Sequence, residues 1–398
     1  MIVPLTKLDR QLEYVPKTVI WCKKCVLSSQ RPRLGFRADG VCTACEYSEY
    51  LRTQVDWKKR DEEFRDFLTQ YRSKTGAYDC LVPSSGGKDS GFVASLLKEE
   101  YQMHPLAVTA TPFQRTEIGA TNFRNFIYSG YPTIEVHFNG KLHRKLARLC
   151  METLGDPWQP FGYAQMAVPH QLAVRLGIPL IAYGESGEAI YSGAIKIREM
   201  LGMATNLWAE QYHKGVTAEE LIKWGVANTD YLTDADFCDD DLDWYRPPPQ
   251  QVLEKAGVLM MWTSNWVLWT PQESMYRAVK YTGFQMNGQR SVSTHTRYAS
   301  LDDILDPWHY TFGFAKWGLS RSHYDCSHEI RDGHITREEA IALVKRFGDE
   351  LPPQQYVDFA CDYMQISEDY LWGVLDAWRS PHLWTEGTNG WELKHQVS

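Results

Sequence analysis

Residues 78–97, Tyr78-Asp-Cys-Leu-Val-Pro-Ser-Ser-Gly-Gly-Lys-Asp-Ser-Gly-Phe-Val-Ala-Ser-Leu-Leu97, decide the fold. Tyr78–Pro83 is a short apolar run of strand length, a Ser/Gly loop follows, and Phe92–Tyr101 reads as a helix. Two glycines allow positive φ and a close backbone approach to a ligand. The helix start aims free N–H groups at the same spot, which makes an anion site. The loop is not the Walker type. That pattern needs glycine five residues before Gly87, where Val82 stands, and Ser or Thr after Lys88, where Asp89 stands.

Outward from this turn, apolar runs at Pro105–Ala110, Thr133–Phe138 and Pro179–Tyr183 alternate with helical patterns at Ile118–Tyr128, Lys141–Leu154 and Tyr163–Leu176. Strands alternating with helices of this length predict βαβ units and a parallel sheet with covered faces. Trp57–Arg72 reads as an amphipathic helix ahead of them. Beyond about residue 190 the strand signal fades, and helices are expected at Thr217–Trp224, Gln272–Tyr281, Ile335–Phe347 and Glu368–Trp378. Thr336-Arg-Glu-Glu339 has the form of a capping box. The acidic, proline-rich Asp234–Pro249 is the expected boundary. The resulting division is residues 1–55, 56–235 and 236–398, the last mainly helical and Trp-rich.

With 43% hydrophobic and 23% charged residues the chain is ordinary globular material. Its net charge of −8 argues against a nucleic-acid glove. The most apolar stretch, Val258–Trp269, is too short for a bilayer, which needs about 20 residues, so no membrane span is expected. Fifteen tryptophans, all but Trp21 and Trp57 beyond residue 150, predict a large packed aromatic region.

Nine cysteines, an odd number, and an N-terminus without a basic n-region predict a reducing cytoplasm rather than a disulfide scaffold. Cys22, Cys25, Cys42 and Cys45 have the spacing C-x2-C-x16-C-x2-C, two knuckles that present four thiolates to one structural Zn2+. Such an ion would hold a segment too small for its own core. Lys23, Lys24, Arg31, Arg33 and Arg37 lie in or beside this segment and fit a polyanion, a nucleotide-sugar diphosphate or, equally, a solvated basic face.

The string Ser85-Gly-Gly-Lys-Asp-Ser90 resembles the PP-loop of the ATP pyrophosphatase superfamily, whose members cleave ATP between the α- and β-phosphates and activate a carbonyl or amide oxygen with AMP. The resemblance implies that Ser85, Gly86, Gly87 and Ser90 hold the β- and γ-phosphates, that Lys88 neutralises charge in the transition state, and that Asp89 helps place Mg2+. It places adenine on the backbone of Val108-Thr109-Ala110. Together with the four cysteines, Gly184-Glu185-Ser186, Trp269–Glu273, Tyr298–Asp303, Lys316–Arg321, Asp325, Glu329–His334 and Thr336–Glu339, the order of motifs is similar to the N-acetyl sugar amidotransferase family over nearly the whole chain. That family converts the acetamido group of bacterial surface sugars to an acetamidino group. The segment Gly184–Gly193 is a looser version of the family's, and Val258–Trp269 has no assigned place.

The implied chemistry needs a base for ammonia. Glu185, at the C-terminal end of a strand, stands where parallel sheets bind ligands, although a helix entry also attracts a carboxylate. Glu188 is second in line. Gly184 joins the nucleotide site, and Lys316 and Arg321 are candidates for a sugar carboxylate or phosphate. No cysteine has the glycine-flanked setting of a glutaminase nucleophile, and position 2 is isoleucine. A separate glutaminase partner or free ammonia is therefore expected, and the acetamido sugar or nucleotide-sugar is the small-molecule partner. Self-association into a homo-oligomer is left open. The competing reading is a PP-loop sulfurtransferase that thiolates tRNA, with Cys150 and Cys238 as the candidate thiols. A third reading is a zinc-ribbon scaffold whose loop has lost its activity.

Overall fold

In the computed structural model, which describes residues 4–388 and 390–398, five parallel strands form one sheet. They are β1 (Cys80–Pro83), β2 (Pro105–Ala110), β3 (Thr133–Val136), β4 (Leu180–Tyr183) and β5 (Leu259–Trp262), in the order β3-β2-β1-β4-β5. Alternation along the strands feeds two cores. Leu81, Val108, Ile181 and Met260 face one side, against helices α5 (Gly140–Leu154) and α6 (Gln159–Leu176). Val82, Ala107, Leu180 and Met261 face the other, against α2 (Trp57–Thr69), α3 (Lys88–Ser95) and α4 (Glu117–Tyr128). Both faces are thus buried, the reason the strands read as short continuous apolar runs. Each fully buried Leu, Val or Phe contributes about 1.5–3 kcal/mol.

The chain reverses its direction of winding between β1 and β4. At such a switch point the two following loops diverge and leave a crevice at the carboxyl ends of the strands. Ser84–Gly87 and Gly184–Ser186 are those loops.

Gly86 has φ +84°, and a Cβ there would lie 2.6 Å from the Cα of Phe123 in α4. The loop is pressed against backbone that cannot yield. Gly86→Ala is therefore expected to destabilise the chain by about 2–4 kcal/mol, from left-handed strain plus overpacking. Urea unfolding of the two proteins reads this as a lowered midpoint at an unchanged slope.

The fifth strand departs from the sequence reading. Val258–Trp269, which the sequence left unplaced, contains β5, and β5 pairs with β4. The α/β layer therefore takes residues from both sides of the expected division at 235/236. The helix Pro271–Thr282 also lies on α3: a Cβ on Gly91 would meet Ala278 Cβ at 3.1 Å, and Arg277 donates to Ser95. A second unread strand pair, Trp384–Gly387 with Gly390–Leu393, is antiparallel. Helices Asp306–Trp317, Arg321–Asp332 and Gln354–Met364 were not expected either. The expected capping box forms, with the Glu339 amide donating to Thr336 Oγ1 at 3.2 Å and the Thr336 amide donating to Glu339 Oε2 at 2.7 Å. The tryptophans do not make one aromatic region. Trp208 and Trp262 lie in the sheet core, Trp308 and Trp378 in a separate helical core, and Trp317 beside the cysteines.

Candidate active site

The crevice opens into a cavity of about 560 Å³, within the roughly 300–1,000 Å³ of small-molecule sites. Ser85, Gly87, Lys88, Asp89 and Ser90 form one wall, and Gly184 and Glu185 another. Gly86 lines a smaller adjoining cleft. The loop is braced from beneath: Gly86 N–H donates to Ser84 Oγ (3.2 Å), Ser84 Oγ to Ser90 Oγ (3.0 Å), and Ser90 Oγ to the Gly87 carbonyl (3.2 Å). No side chain caps α3, so its first N–H groups are left to a ligand or to water.

Thr109 turns its side chain away from the cavity. It is buried, donates its hydroxyl to the Ser84 carbonyl, and does not line the cavity, which Val108 and Ala110 do. Strand alternation turns the Thr109 side chain under the Ser84–Gly87 loop, where it supports the turn.

The charges are arranged unevenly. Lys88 Nζ contacts Asp89 Oδ2 at 2.5 Å and lies 5.7 Å from the Trp269 ring and 5.8 Å from the Tyr298 ring, within cation–π reach of both. Asp89 Oδ1 is buried and has no partner. Glu185 accepts from Tyr191 Oη at 2.6 Å. Burial, with Asp89 adding, pushes its carboxyl up to about 7, although Lys88 and the Tyr191 hydrogen bond oppose the shift. A carboxyl poised there can exchange a proton near neutral pH.

Glu188 is not poised in this way. Arg31 Nη2 (2.9 Å) and Arg33 Nε (3.0 Å) bind its two oxygens, and although burial pushes the carboxyl up, the two arginines bring it down to about 2. The basic cluster of the N-terminal segment is thereby divided. Arg31 and Arg33 line the cavity, whereas Lys23, Lys24 and Arg37 are exposed or half-exposed away from it. A depressed carboxyl stabilises the fold above its unfolded pKa and loses that contribution as pH falls through its folded value. Glu188→Gln should therefore cost about 3 kcal/mol at pH 7, and the difference from wild type should shrink as pH drops from about 4.5 towards 2. Thermal unfolding of both proteins across that range measures it.

Lys316 is also already engaged. It is 2% exposed and donates to Asp9 Oδ2 and to the Leu154 carbonyl, both at 2.9 Å. It touches the cavity wall chiefly as a strut between the N-terminal segment and α5. Arg321 lines the cavity beside Asp325 (3.0 Å), with its guanidinium over Tyr310.

Three groups on the wall had no role in the sequence reading, although Glu329 opens one of the motifs it quotes. Asp156 is buried with Lys214 Nζ and His309 Nδ1 each at 2.7 Å. Burial raises its carboxyl, but His309 and Lys214 overcome this and hold it well below the ordinary range. Glu329 accepts from Tyr298 Oη (2.8 Å) and Gln272 (2.6 Å) and pairs with His334 (2.7 Å). His328 is buried with an unpartnered Nε2, and burial, with Arg331, Lys88 and Arg321 adding, keeps it neutral. His328 and Glu329 follow Asp325 on one helix at i+3 and i+4, a face that the sequence shows only once the helix is known.

The four N-terminal cysteines converge. Their sulfurs lie within 4.8 Å of one another, all four residues are fully buried, and Cys25 Sγ is 3.7 Å from Cys42 Sγ. A tetrahedron of Zn–S bonds near 2.3 Å has edges of about 3.8 Å. The amides of Lys24, Cys25 and Cys42 point at Cys22 Sγ at 3.3–3.4 Å. The donor set suits a structural Zn2+ with no open position. Cys150 is fully buried, where burial holds its thiol protonated; Cys238 is exposed, and neither lines the cavity.

Among the described residues no helix is long and apolar enough to cross a membrane. The model of the C-terminal domain of WbpG-like lipopolysaccharide (LPS) biosynthesis proteins matches residues 292–397. Tyr298, Arg321, Asp325, His328 and Glu329 of the cavity wall lie within that match. An uncharacterized protein of Methanocaldococcus jannaschii, MJ1599, is 30% identical over 88 residues, which is 22% of this chain and 31% of that protein. The C-terminal quarter of the chain is thus similar to a domain of surface-polysaccharide biosynthesis.

Proposed function

We propose that the chain is an ATP-dependent, AMP-forming amidotransferase that converts the acetamido group of a bacterial surface sugar to an acetamidino group. The observation that carries this reading is the pairing, across one cavity, of an uncapped Gly-Gly-Lys-Asp turn with a carboxyl raised to about 7. The resemblance of residues 292–397 to a lipopolysaccharide biosynthesis domain supplies the substrate class.

An amide oxygen is a poor leaving group. In the proposed reaction the amide oxygen attacks the α-phosphorus of ATP, pyrophosphate leaves, and an imidate O-adenylate forms. Ammonia adds to the imidate carbon, loses a proton, and expels AMP. Ser85, Gly87, Ser90 and the amides opening α3 would hold the β- and γ-phosphates. Lys88 would leave Asp89 for the bridging and leaving oxygens. Asp89, whose Oδ1 has no partner, would help place Mg2+. Glu185 would take the proton from ammonia and then face the amidinium as a carboxylate. Arg321 remains the candidate for the sugar's anionic group.

In this reading residues 1–55 form the zinc segment, 56–235 the PP-loop portion and 236–398 the substrate portion, with β5 contributed by the last. Ammonia would come from a separate glutaminase or from solution. Among the described residues no cysteine lines the cavity, which weighs against the sulfur-transfer alternative. Incubation with ATP, ammonium and UDP-linked acetamido sugars tests the proposal: the sugar should become about 1 Da lighter, O being replaced by NH, with one AMP per amidine. Pyrophosphate release without a mass change, or full turnover by a Ser85→Ala/Asp89→Asn variant, would contradict it.

A further inference from the structure

Four buried thiols within 4.8 Å of one another raise a question of charge. Their pocket is otherwise apolar, built from Leu27, Ala44, Trp317 and Leu319. Four thiolates around a divalent ion carry a net charge of about −2, and a charge buried in such surroundings needs an opposite one. The helix Arg321–Asp332 carries a matching group.

Arg331 is 8% exposed, and its Nη1 is buried with no hydrogen-bond partner. Among the described residues no carboxylate pairs with it, and its neighbour Asp332 accepts at Oδ1 from Arg52 Nη2 at 2.5 Å. Taken alone, this is a buried cation without a counter-charge, a strongly unfavourable arrangement. Its surroundings resolve the difficulty. The Arg321–Asp332 helix packs on α1 (Thr43–Thr53), which carries Cys45. Tyr324, seven residues before Arg331 and so on the same helix face, packs against the buried cysteine cluster, as does the adjacent Ile330, which sets the helix's last turn beside the thiols. Arg337 acts on other atoms. It donates to the carbonyls of Cys25 (3.3 Å) and Cys22 (3.4 Å), holding the knuckle's backbone rather than its sulfurs.

We infer that Arg331 is the counter-cation of a tetrathiolate zinc centre formed by Cys22, Cys25, Cys42 and Cys45. The two sites then share one rigid element. The helix that neutralises the zinc centre at its last turn presents Arg321, Asp325, His328 and Glu329 to the cavity from its earlier turns. Arg331 is a positioning residue, and its role is independent of the reaction that the cavity performs.

Outer-sphere partners of metal ligands are worth roughly 10–100-fold in metal affinity. The full-length chain and its Arg331→Met, Arg331→Lys and Arg337→Met variants are purified, and zinc is titrated away with a competing chelator. Arg331→Met should raise the zinc dissociation constant by about 10–100-fold, and Arg331→Lys, which keeps the charge, by less than about tenfold. Arg337→Met should fall short of Arg331→Met. Thermal unfolding gives a second readout that a merely structural role would not move. Stripping zinc should lower the Tm of wild type more than that of Arg331→Met, because only wild type is left with an orphaned cation. Equal Tm losses, an unchanged dissociation constant in Arg331→Met, or a wild type that binds no zinc would overturn the inference. If Arg331→Met does not fold, a folded, zinc-loaded Arg331→Lys supports it and an unfolded one overturns it.

Discussion

Replacing Lys88 by Met should lower turnover by roughly 10²–10³-fold, the scale on which a preorganised donor to developing negative charge contributes to catalysis. The expectation follows from where the ammonium sits. It is the first side chain of α3, it faces the cavity, and its protein partner is the adjacent Asp89. In the proposed reaction an entering polyphosphate would supply more negative charge than one carboxylate, so Lys88 would transfer to it and release Asp89 towards a metal. Trp269 and Tyr298 confine the ammonium's path by cation–π attraction. Methionine keeps the length of the stem and its packing against these rings, so folding should be retained. AMP formation at saturating ATP measures the loss. A Lys88→Met protein with wild-type turnover would show that the loop does not bind the reacting phosphates.

Replacing Glu185 by Gln should lower turnover by roughly 10²–10⁴-fold, the range for removal of a general base. The pH profile distinguishes this role from a merely structural one. A base acts as its anion, and burial beside Asp89 pushes Glu185 up to about 7. The wild-type rate, expressed per free ammonia, should therefore rise with pH through about 7 and level off above it. Glu185→Gln should lose that limb. Tyr191→Phe removes the hydrogen bond that favours the carboxylate, so it should move the limb to higher pH while leaving much of the plateau rate. A limb that stays near 7 in Glu185→Gln would assign the titration to another group.

The parallel α/β core was legible in the sequence because its strands are buried on both faces and its helices are amphipathic. Both features leave a period or an apolar run that survives without tertiary information. The strand β5 was not legible. Leu259–Trp262 follows a proline-rich stretch and is flanked by tryptophans that go to different cores, so its pairing with β4 depends on a contact more than 70 residues away in sequence. The helices Asp306–Trp317 and Arg321–Asp332 were hidden for a related reason. Both carry buried polar and charged groups, such as Lys316, His323, Glu329 and Arg331, that break an amphipathic pattern. A polar residue inside a helix face signals burial only when its partner is known.

The candidate site divides along the same line. The cysteine spacing and the Ser85–Ser90 turn are local: a knuckle needs two residues between its cysteines, and a tight turn from a strand into a helix needs glycine beside the helix start. Sequence by itself determined these, along with the sheet's parallel character and the position of Glu185 at a strand end. Tertiary structure alone decided which charges remain free. It paired Glu188 with Arg31 and Arg33, engaged Lys316 with Asp9, turned Thr109 under the loop, and left Glu185 raised and Arg331 Nη1 buried without a hydrogen-bond partner. A residue's type is written in the chain, but its charge state and availability depend on which distant groups share its dielectric surroundings, and only the folded contacts set those.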